Sequence, residues 1–151
     1  MKIFRIIRKV LSFLPEFEPD VQRAHLVVSG YFWIVDEKGE PKLLLLKRSP
    51  DDPGQFPIEV SGGGVDPDDD GLINALKREL WEETGITDVT IIPHMLPGEV
   101  QHFTQRFALF FKRPATRYVF RFAGLINHKP DDLQVVLSPD HVDWALVSMS
   151  A

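Results

Sequence analysis

The order of its elements predicts that this chain has an α+β fold. Stretches rich in β-branched and aromatic residues lie before and after one mid-chain stretch with helical periodicity, rather than alternating with several helices. The chain has 151 residues, of which 44% are hydrophobic and 26% charged, as is usual for a globular domain. We therefore expect strands, one helix and further strands around a single sizeable core.

Three strands are expected before the helix. Leu26–Val35 is rich in Val, Phe and Ile, and Leu43–Lys47 is a continuous apolar run, typical of a strand buried on both faces. A turn with glycine and proline separates them at 36–42, and a proline-containing loop at 49–57 precedes the short strand Ile58–Ser61. That short strand leads directly into a run of glycines.

Alternating or apolar runs predict five more strands after the helix. The third is aromatic, and the pair Pro97-Gly98 predicts a turn between the first two. The expected strands are Val89–Pro93, Val100–Phe111, Thr116–Ile126, Val135–Leu137 and Trp144–Val147.

The helix is expected to begin near Gly71 and to end at Thr84–Gly85, where glycine favours a C-terminal stop. Just upstream, Asp68, Asp69 and Asp70 suit a helix N-terminus, because capping side chains and negative charge are favourable there. The apolar stripe that this helix would bury consists of Ile73, Leu76 and Leu80.

Three carboxylates lie beside that stripe. Glu79, Glu82 and Glu83 stand at offsets of three and four, so they share an arc of about 100°. Two carboxylates about 5 Å apart in a cleft of effective dielectric near 20 repel by roughly 3 kcal/mol, and a hard divalent cation removes that repulsion. A solvated, charged helix face is the alternative interpretation of a bare Glu-Glu pair.

The residues around the helix favour the metal site. Val60-Ser61-Gly62-Gly63-Gly64-Val65 runs from a strand into a glycine turn, where the backbone can approach a ligand closely. With residues 78–86, Arg-Glu-Leu-Trp-Glu-Glu-Thr-Gly-Ile, it resembles the Nudix box, G-x5-E-x7-R-E-U-x-E-E-x-G-U, where U is a bulky aliphatic residue. The second half of the box matches without a mismatch, which has a chance expectation on the order of 10⁻⁵. In the first half, Asp70 (counted from Gly64) or Asp69 (counted from Gly63) stands where the family has Glu.

The resemblance implies a fold and an activity. It implies an α/β/α sandwich, in which a mixed sheet lies between helices and the box forms a loop-helix-loop. Members of the family hydrolyse a nucleoside diphosphate linked to another moiety, with Mg²⁺ or alternatively Mn²⁺ as cofactor. By resemblance, Glu79 and Glu83 would bind the metal, Glu82 would be a further ligand or support, and the backbone carbonyl near Gly62 or Gly63 would add an oxygen. Arg78 would orient Glu79, and Glu79 or Glu82 would activate the water.

Residues outside the box are expected to complete the site. In Ser138-Pro139-Asp140-His141, Asp140 is predicted to be an additional ligand or base, with a turn-capping role as the alternative. Lys47 and Arg48 end a strand and could contact phosphate, or could extend into solvent at the strand end. Glu99 would approach the site from its loop, and Phe103 would stack a base or belong to the core.

Charge and composition limit the partners. The net charge of −5 excludes a globally basic surface for nucleic acid, and the absence of cysteine excludes disulfides and thiolate catalysis. No apolar run reaches the length of a transmembrane segment. We therefore expect a cytoplasmic protein with a small nucleotide-type substrate and no nucleic-acid partner; a homodimer is compatible with the sequence.

The N-terminal segment is expected to be separate from the main domain. Residues 1–20 would form an amphipathic helix and a linker, and residues 21–151 the Nudix domain. The basic, apolar helix over Met1–Leu14 could cover an apolar face of the domain or lie on an anionic membrane.

Two other functions share parts of this pattern. A catalytically silent nucleotide-binding or interaction module would keep the fold, but such modules usually lose a box glutamate. An RNA 5′-end hydrolase would share the box, but it would be expected to carry a basic surface. The intact glutamates and the acidic charge favour an enzyme that acts on small nucleotides.

Overall fold

The computed structural model describes residues 24–51, 56–108 and 111–149, so the predicted N-terminal helix and linker lie outside the described part. The described residues form eight strands, one α-helix and a 3-10 turn at Pro130–Asp132. The strands are β1 (Ala24–Val35), β2 (Pro41–Arg48), β3 (Ile58–Glu59), β4 (Ser61–Gly64), β5 (Val89–Ile91), β6 (Leu96–Ala108), β7 (Phe111–Ile126) and β8 (His141–Ser148), and the helix is α1 (Leu72–Thr84).

All eight strands belong to one mixed sheet. Its central path is β3-β2-β1-β7-β5, while β4 pairs with β1, β6 with β7 and β8 with β2. The β1–β7 pair is parallel and the other pairs are antiparallel. Strand β1 changes partner along its length, since Val27–Gly30 pairs with β4 and Trp33–Val35 pairs with β2. This change of partner brings the glycine turn beside the centre of the sheet.

Helix α1 packs on one face of this sheet, against β1 and β4. Leu76 and Leu80 are fully buried there together with Val28 and Phe32 of β1, while Ile73 is partly buried. A Cβ on Gly30 would lie 3.0 Å from Leu76 Cδ1 and 2.4 Å from the Phe32 ring, so the helix and that ring fill the space above this glycine. The predicted α+β class and the apolar stripe of the helix are confirmed. The second helical layer expected for an α/β/α sandwich is not among the described residues.

The helix begins and ends where the sequence predicts, but the aspartates at 68–70 do not cap it. Gly71 is the N-cap residue, and Gly85 ends the helix with a φ of 71° and an N–H that donates to the Trp81 carbonyl at 2.8 Å. No side chain caps the N-terminus and no acidic residue lies in the first turn. The expectation that the aspartates at 68–70 cap this helix is therefore wrong.

Two details of the predicted strands are also corrected. Pro97 and Gly98 lie within β6, at a register irregularity between Leu96 and Glu99, instead of in a turn between two strands. Residues 135–137 are not a strand. Their region runs along the C-terminal end of α1, where the N–H of Val136 donates to the Thr84 carbonyl and that of Ser138 to the Glu83 carbonyl.

Candidate active site

Arg78 joins the glycine turn to the helix. Its Nε donates to Asp69 Oδ1 and its Nη2 to Asp69 Oδ2, both at 2.9 Å, and Nη2 also donates to the Gly64 carbonyl at 2.8 Å. The hydrogen bonds from Arg78 hold the pKa of Asp69 below its ordinary value. Asp69, and not Asp70, therefore takes the supporting position that the sequence left open between them.

The same guanidinium positions two of the box glutamates. Its Nη1 donates to Glu79 Oε1 at 2.9 Å and to Glu82 Oε2 at 3.1 Å. Burial raises the pKa of Glu79, while the hydrogen bond from Arg78 opposes that shift. The side chain of Glu82 is 46% exposed, so this carboxylate remains accessible to water. Arg78 thus orients one partly buried and one accessible carboxylate.

The glycines are required by close contacts at two positions. A Cβ on Gly63 would lie 2.4 Å from Glu79 Oε2, and one on Gly62 would lie 2.3 Å from the Val28 carbonyl oxygen. Gly64 has no atom within 4 Å of its Cβ position. The backbone at Gly63 therefore lies directly against the Glu79 carboxylate, as a loop that supplies a carbonyl ligand would require.

Glu83 is the most deeply buried of the three box glutamates. Its Oε2 accepts hydrogen bonds from Ser61 Oγ at 2.5 Å and from the Gly62 N–H at 3.2 Å. Burial raises the pKa of the Glu83 carboxyl to about 7, against the lowering effect of these two donors. Burial therefore favours the protonated form of this carboxyl group in the absence of a cation.

Two residues that the sequence analysis did not select lie next to Glu83. His141 is buried, with Nε2 2.9 Å from Glu59 Oε1 and 4.0 Å from Glu83 Oε1. One potential ligand atom from each of Glu59, Glu83 and His141 lies within 4.8 Å of the others. Glu59 stands in a two-residue strand just before the glycine turn, and no sequence spacing links it to the helix. His141 follows the predicted residue Asp140 directly. What distinguishes the two is that His141 is the buried first residue of β8.

The ring of His141 is held by hydrogen bonds on both sides. Its Nδ1 lies 3.2 Å from Ser138 Oγ, and Glu59 Oε1, on the other side, also accepts from Arg48 Nη1 at 2.8 Å. Asp140 is exposed, and its backbone carbonyl accepts from the Ser49 N–H at 2.8 Å. The structure therefore brings His141 to the carboxylates and places the predicted Asp140 side chain outside that group.

A cleft of about 740 Å³ opens beside the glycine turn. Val27, Val28 and Ser29 of β1 line it together with Gly62 and Gly63 of the glycine turn. Two of the predicted substrate residues, Arg48 and Glu99, line this cleft, whereas Lys47 is exposed and does not. Arg117 and Arg121, which the sequence analysis passed over, also line it.

Phe103 is engaged by other side chains. The guanidinium carbon of Arg117 lies 5.0 Å from the centroid of the Phe103 ring, and the His25 ring lies 5.5 Å from it in a tilted arrangement. A base that stacked on Phe103, as predicted, would compete with Arg117 for the ring. Phe103 supports an arginine in this structure.

The donor set at the helix fits a hard divalent cation. Glu79 Oε2 and Glu83 Oε1 accept no hydrogen bond from the described residues, and each belongs to a carboxyl group whose pKa burial raises. Oxygen ligands of this kind suit Mg²⁺ or Mn²⁺. Because both ring nitrogens of His141 have partners, His141 and Glu59 fit a supporting role better than direct ligation.

The NUDIX domain family model matches residues 24–151. No curated protein matches the chain. No helix in the described part of the chain has the length and apolar character needed to span a bilayer.

Solved structures share the fold at low sequence identity. A Caenorhabditis elegans Ap4A hydrolase binary complex is 21% identical with a TM-score of 0.58, covering 82% of this chain and 80% of its own. The NUDIX domain of Shewanella oneidensis NrtR, complexed with ADP ribose, is 15% identical with a TM-score of 0.62, covering 92% and 82%. The Nudix hydrolase RenU from M. smegmatis is 14% identical with a TM-score of 0.59, covering 82% and 70%. The chain belongs to the Nudix family, as a hydrolase that acts on phosphoanhydride bonds.

Proposed function

We propose that this protein is a Mg²⁺-dependent pyrophosphohydrolase that cleaves a nucleoside diphosphate linked to another moiety. The observation that carries the proposal is the pair of carboxylates, the partly buried Glu79 and the buried Glu83, that flank the glycine turn at the edge of the cleft. Burying two such groups is unfavourable unless a cation compensates them. The cleft beside them is lined by three arginines, Arg48, Arg117 and Arg121, which suit a phosphorylated substrate.

Metal binding would draw on the box residues. Glu79 and Glu83 would hold the ion, with Glu82 and the Gly63 carbonyl as further oxygen donors. When bound, Mg²⁺ supplies neutralisation of the charge that develops on the phosphate during water attack. Mn²⁺ would serve as an alternative, since it accepts the same oxygen ligands.

The chain's own residues prepare the site for that chemistry. Arg78 fixes the rotamers of Glu79 and Glu82, and Ser61 with the Gly62 N–H fixes Glu83. We propose Glu82 as the group that accepts the proton of the attacking water, because it is the box carboxylate most accessible to solvent. The network of Arg48, Glu59 and His141 holds the other wall of the site.

The proposal is tested by turnover on a panel of substrates. The panel contains dATP, ADP-ribose, Ap4A, NADH and a nucleoside diphosphate sugar, each with Mg²⁺ or Mn²⁺. Loss of Glu83 removes several kcal/mol of charge stabilisation, so Glu83→Gln should lower kcat by about a thousandfold on whichever substrate is used. Calorimetric titration with Mn²⁺ should show that the same variant loses metal affinity.

The matched control is Glu37→Gln, which removes a carboxylate that is 75% exposed in the β1–β2 turn. This control should keep wild-type turnover within about twofold, since exposed charges contribute little. An absence of turnover on every substrate, with no Mn²⁺ binding by the wild type, would refute the proposal and favour a silent nucleotide-binding module.

A further inference from the structure

The three arginines of the cleft differ in how their charge is balanced. Arg48 Nη1 lies 2.8 Å from Glu59 Oε1, and Arg121 Nη2 lies 2.5 Å from Glu99 Oε2. Arg117 forms no ion pair with any residue in the described ranges, and its Nε is buried there without a hydrogen-bond partner. Buried donors in native proteins nearly always have a partner, so this guanidinium is a candidate for contact with a ligand.

Arg117 is held in place although it has no acidic partner. Its guanidinium lies over the ring of Phe103, whose other contact is the tilted ring of His25. A guanidinium held over an aromatic ring is restrained by cation–π attraction, and Arg117 at the same time lines the cleft. Arg117 therefore presents a prepositioned donor edge.

Arg117 and Arg121 lie at different positions along β7. In the register of the sheet, Arg121 pairs with Ser29, and Ser29 pairs with Gly62 on its other side. Arg117 pairs with His25, four residues earlier on β7, which corresponds to about 13 Å along the strand. It lines both the cleft beside the glycine turn and an adjoining cavity of about 530 Å³ that also contains Gly64 and Asp66. A group bound at Arg117 would thus lie well away from the linkage that is cleaved.

We propose that Arg117 forms a distal phosphate subsite, which selects nucleoside diphosphate derivatives whose far end carries a further phosphate. The inference rests on the proposed function for the position of the scissile linkage. Arg121 and Arg48, already paired with carboxylates, line the nearer part of the same cleft. Arg117 alone among these three brings uncompensated positive charge, and a doubly charged phosphate accepts hydrogen bonds from a planar guanidinium edge.

Binding without metal tests this subsite apart from turnover. Two ligand pairs are titrated in EDTA: NADPH against NADH, which differ by one phosphate monoester, and Ap4A against Ap2A, which differ only in the length of the phosphate chain. Charge-assisted hydrogen bonding predicts that the wild type binds the phosphate-richer member of at least one pair about tenfold to a hundredfold more tightly. A preference confined to NADPH would identify a monoester, and one confined to Ap4A a phosphate chain.

The variants assign the preference to Arg117. Arg117→Gln should remove it, and Arg117→Lys should keep part of it, because lysine retains the charge but not the planar edge. Lys129→Gln, which removes a charge from a side chain that is 69% exposed, should leave the preference intact. Circular dichroism checks that each variant is folded, and if Arg117→Gln is unfolded, the Arg117→Lys result decides.

Three results would overturn the subsite. The first is equal affinity of the wild type within both pairs, the second is failure of NADPH and Ap4A to bind, and the third is an undiminished preference in both Arg117 variants. Because no metal is present, an enzyme that hydrolyses none of the panel substrates can still show the preference. Failure of the subsite and failure of the proposed function are therefore distinguishable.

Discussion

The carboxylates on and near α1 form two groups, one around Arg78 (the Arg78 end) and one around Glu83 (the Glu83 end), and the protein balances their charge differently. Around Arg78, one guanidinium donates to Asp69, Glu79 and Glu82, and the pKa of Asp69 is lowered by its bonds to Arg78. Around Glu83, the neighbours are Ser61, Glu59 and His141, and burial raises the pKa of Glu83 to about 7. The protein supplies the cation at the first end. At the second end Glu83 accepts from the neutral donors Ser61 Oγ and the Gly62 N–H, while the cation there, Arg48, pairs with Glu59.

This difference indicates which carboxylates have their charge balanced by Arg78 and which depend more on a bound cation. If Glu59 and Glu83 were both ionised, oxygen atoms no more than 4.8 Å apart would repel by at least about 3.5 kcal/mol at an effective dielectric of 20. The Arg78 end carries no comparable penalty, because attraction to the guanidinium offsets repulsion among its acids. Variants at the two ends should therefore affect stability and activity in different proportions.

Among the variants that compare the two ends, the largest effect on kcat is expected where the glycine turn contacts the helix acids. Gly63→Ala would place a methyl group 2.4 Å from the Glu79 carboxylate, which must then move. We expect kcat to fall by about a hundredfold, since displacement of a catalytic group by about 1 Å has effects of that size. Gly64→Ala is the matched control, because nothing lies within 4 Å of its Cβ position, and steady-state kinetics should show little change. Equal losses in both variants would contradict the contact.

Breaking the Arg78 end should cost stability as well as rate. Arg78→Lys keeps the charge but loses the paired bonds to Asp69 and the bond to the Gly64 carbonyl. We expect urea denaturation to show a loss of about 2 kcal/mol in the free energy of unfolding. Lys77→Gln, an exposed position on the same helix, should change it by less than about 0.5 kcal/mol. A variant as stable as the wild type would show that Arg78 acts on catalysis alone.

The raised pKa of Glu83 should make the free energy of unfolding depend on pH when no metal is bound. The pKa of Glu83 is raised from 4.5 to about 7 in the folded protein, so its favourable contribution is fully present below pH 4.5 and is lost as the pH rises through 7. At 1.36 kcal/mol per pKa unit the loss is at most roughly 3 kcal/mol. Urea denaturation in EDTA from pH 4.5 to 8 should show this decline in the wild type, and Glu83→Gln should flatten it. Parallel curves for the two proteins would show that Glu83 is not the group responsible.

The smallest effect distinguishes two adjacent residues. His141→Gln should lower kcat by about tenfold or more, because loss of a supporting partner typically costs that much. Asp140→Asn should stay within about twofold, since the Asp140 side chain is exposed and outside the carboxylate group. Kinetics of both variants at saturating Mg²⁺ are the measurement. The reverse order would restore Asp140 to the role predicted from the sequence.

Local features were predictable because near neighbours in the chain determine them. The 3.6-residue period fixes the relative positions of Glu79, Glu82 and Glu83 on α1 and the buried stripe beside them. The β1–β2 turn is also local, since Asp36 Oδ1 accepts from the N–H groups of Lys38 and Glu40 at 2.9 Å. In each case the partners lie within a few residues of each other.

Long-range pairing decided what the sequence could not. The motif spacing allows either Asp69 or Asp70 to take the position of the family's glutamate, since both lie within three residues of the helix start. Only the fold of the loop brings Asp69 to Arg78. His141 reaches the site because β8 pairs with β2, where Arg48 is opposite His141 next to a register shift between Lys47 and Arg48. A strand side chain changes face with every one-residue step, so the phase of β8 selects His141 over Asp140.

The amino-acid sequence by itself determined the family, the helix and its acidic face, and the glycine turn, because motif spacing and helical periodicity are properties of adjacent residues. The tertiary structure alone decided the partners of Glu83 and the cleft with Arg117 and Arg121. Glu59 lies 82 positions from His141, and the parallel pairing of β1 with β7 places Arg117 beside His25. Such contacts depend on strand register across the whole sheet, which no local pattern encodes.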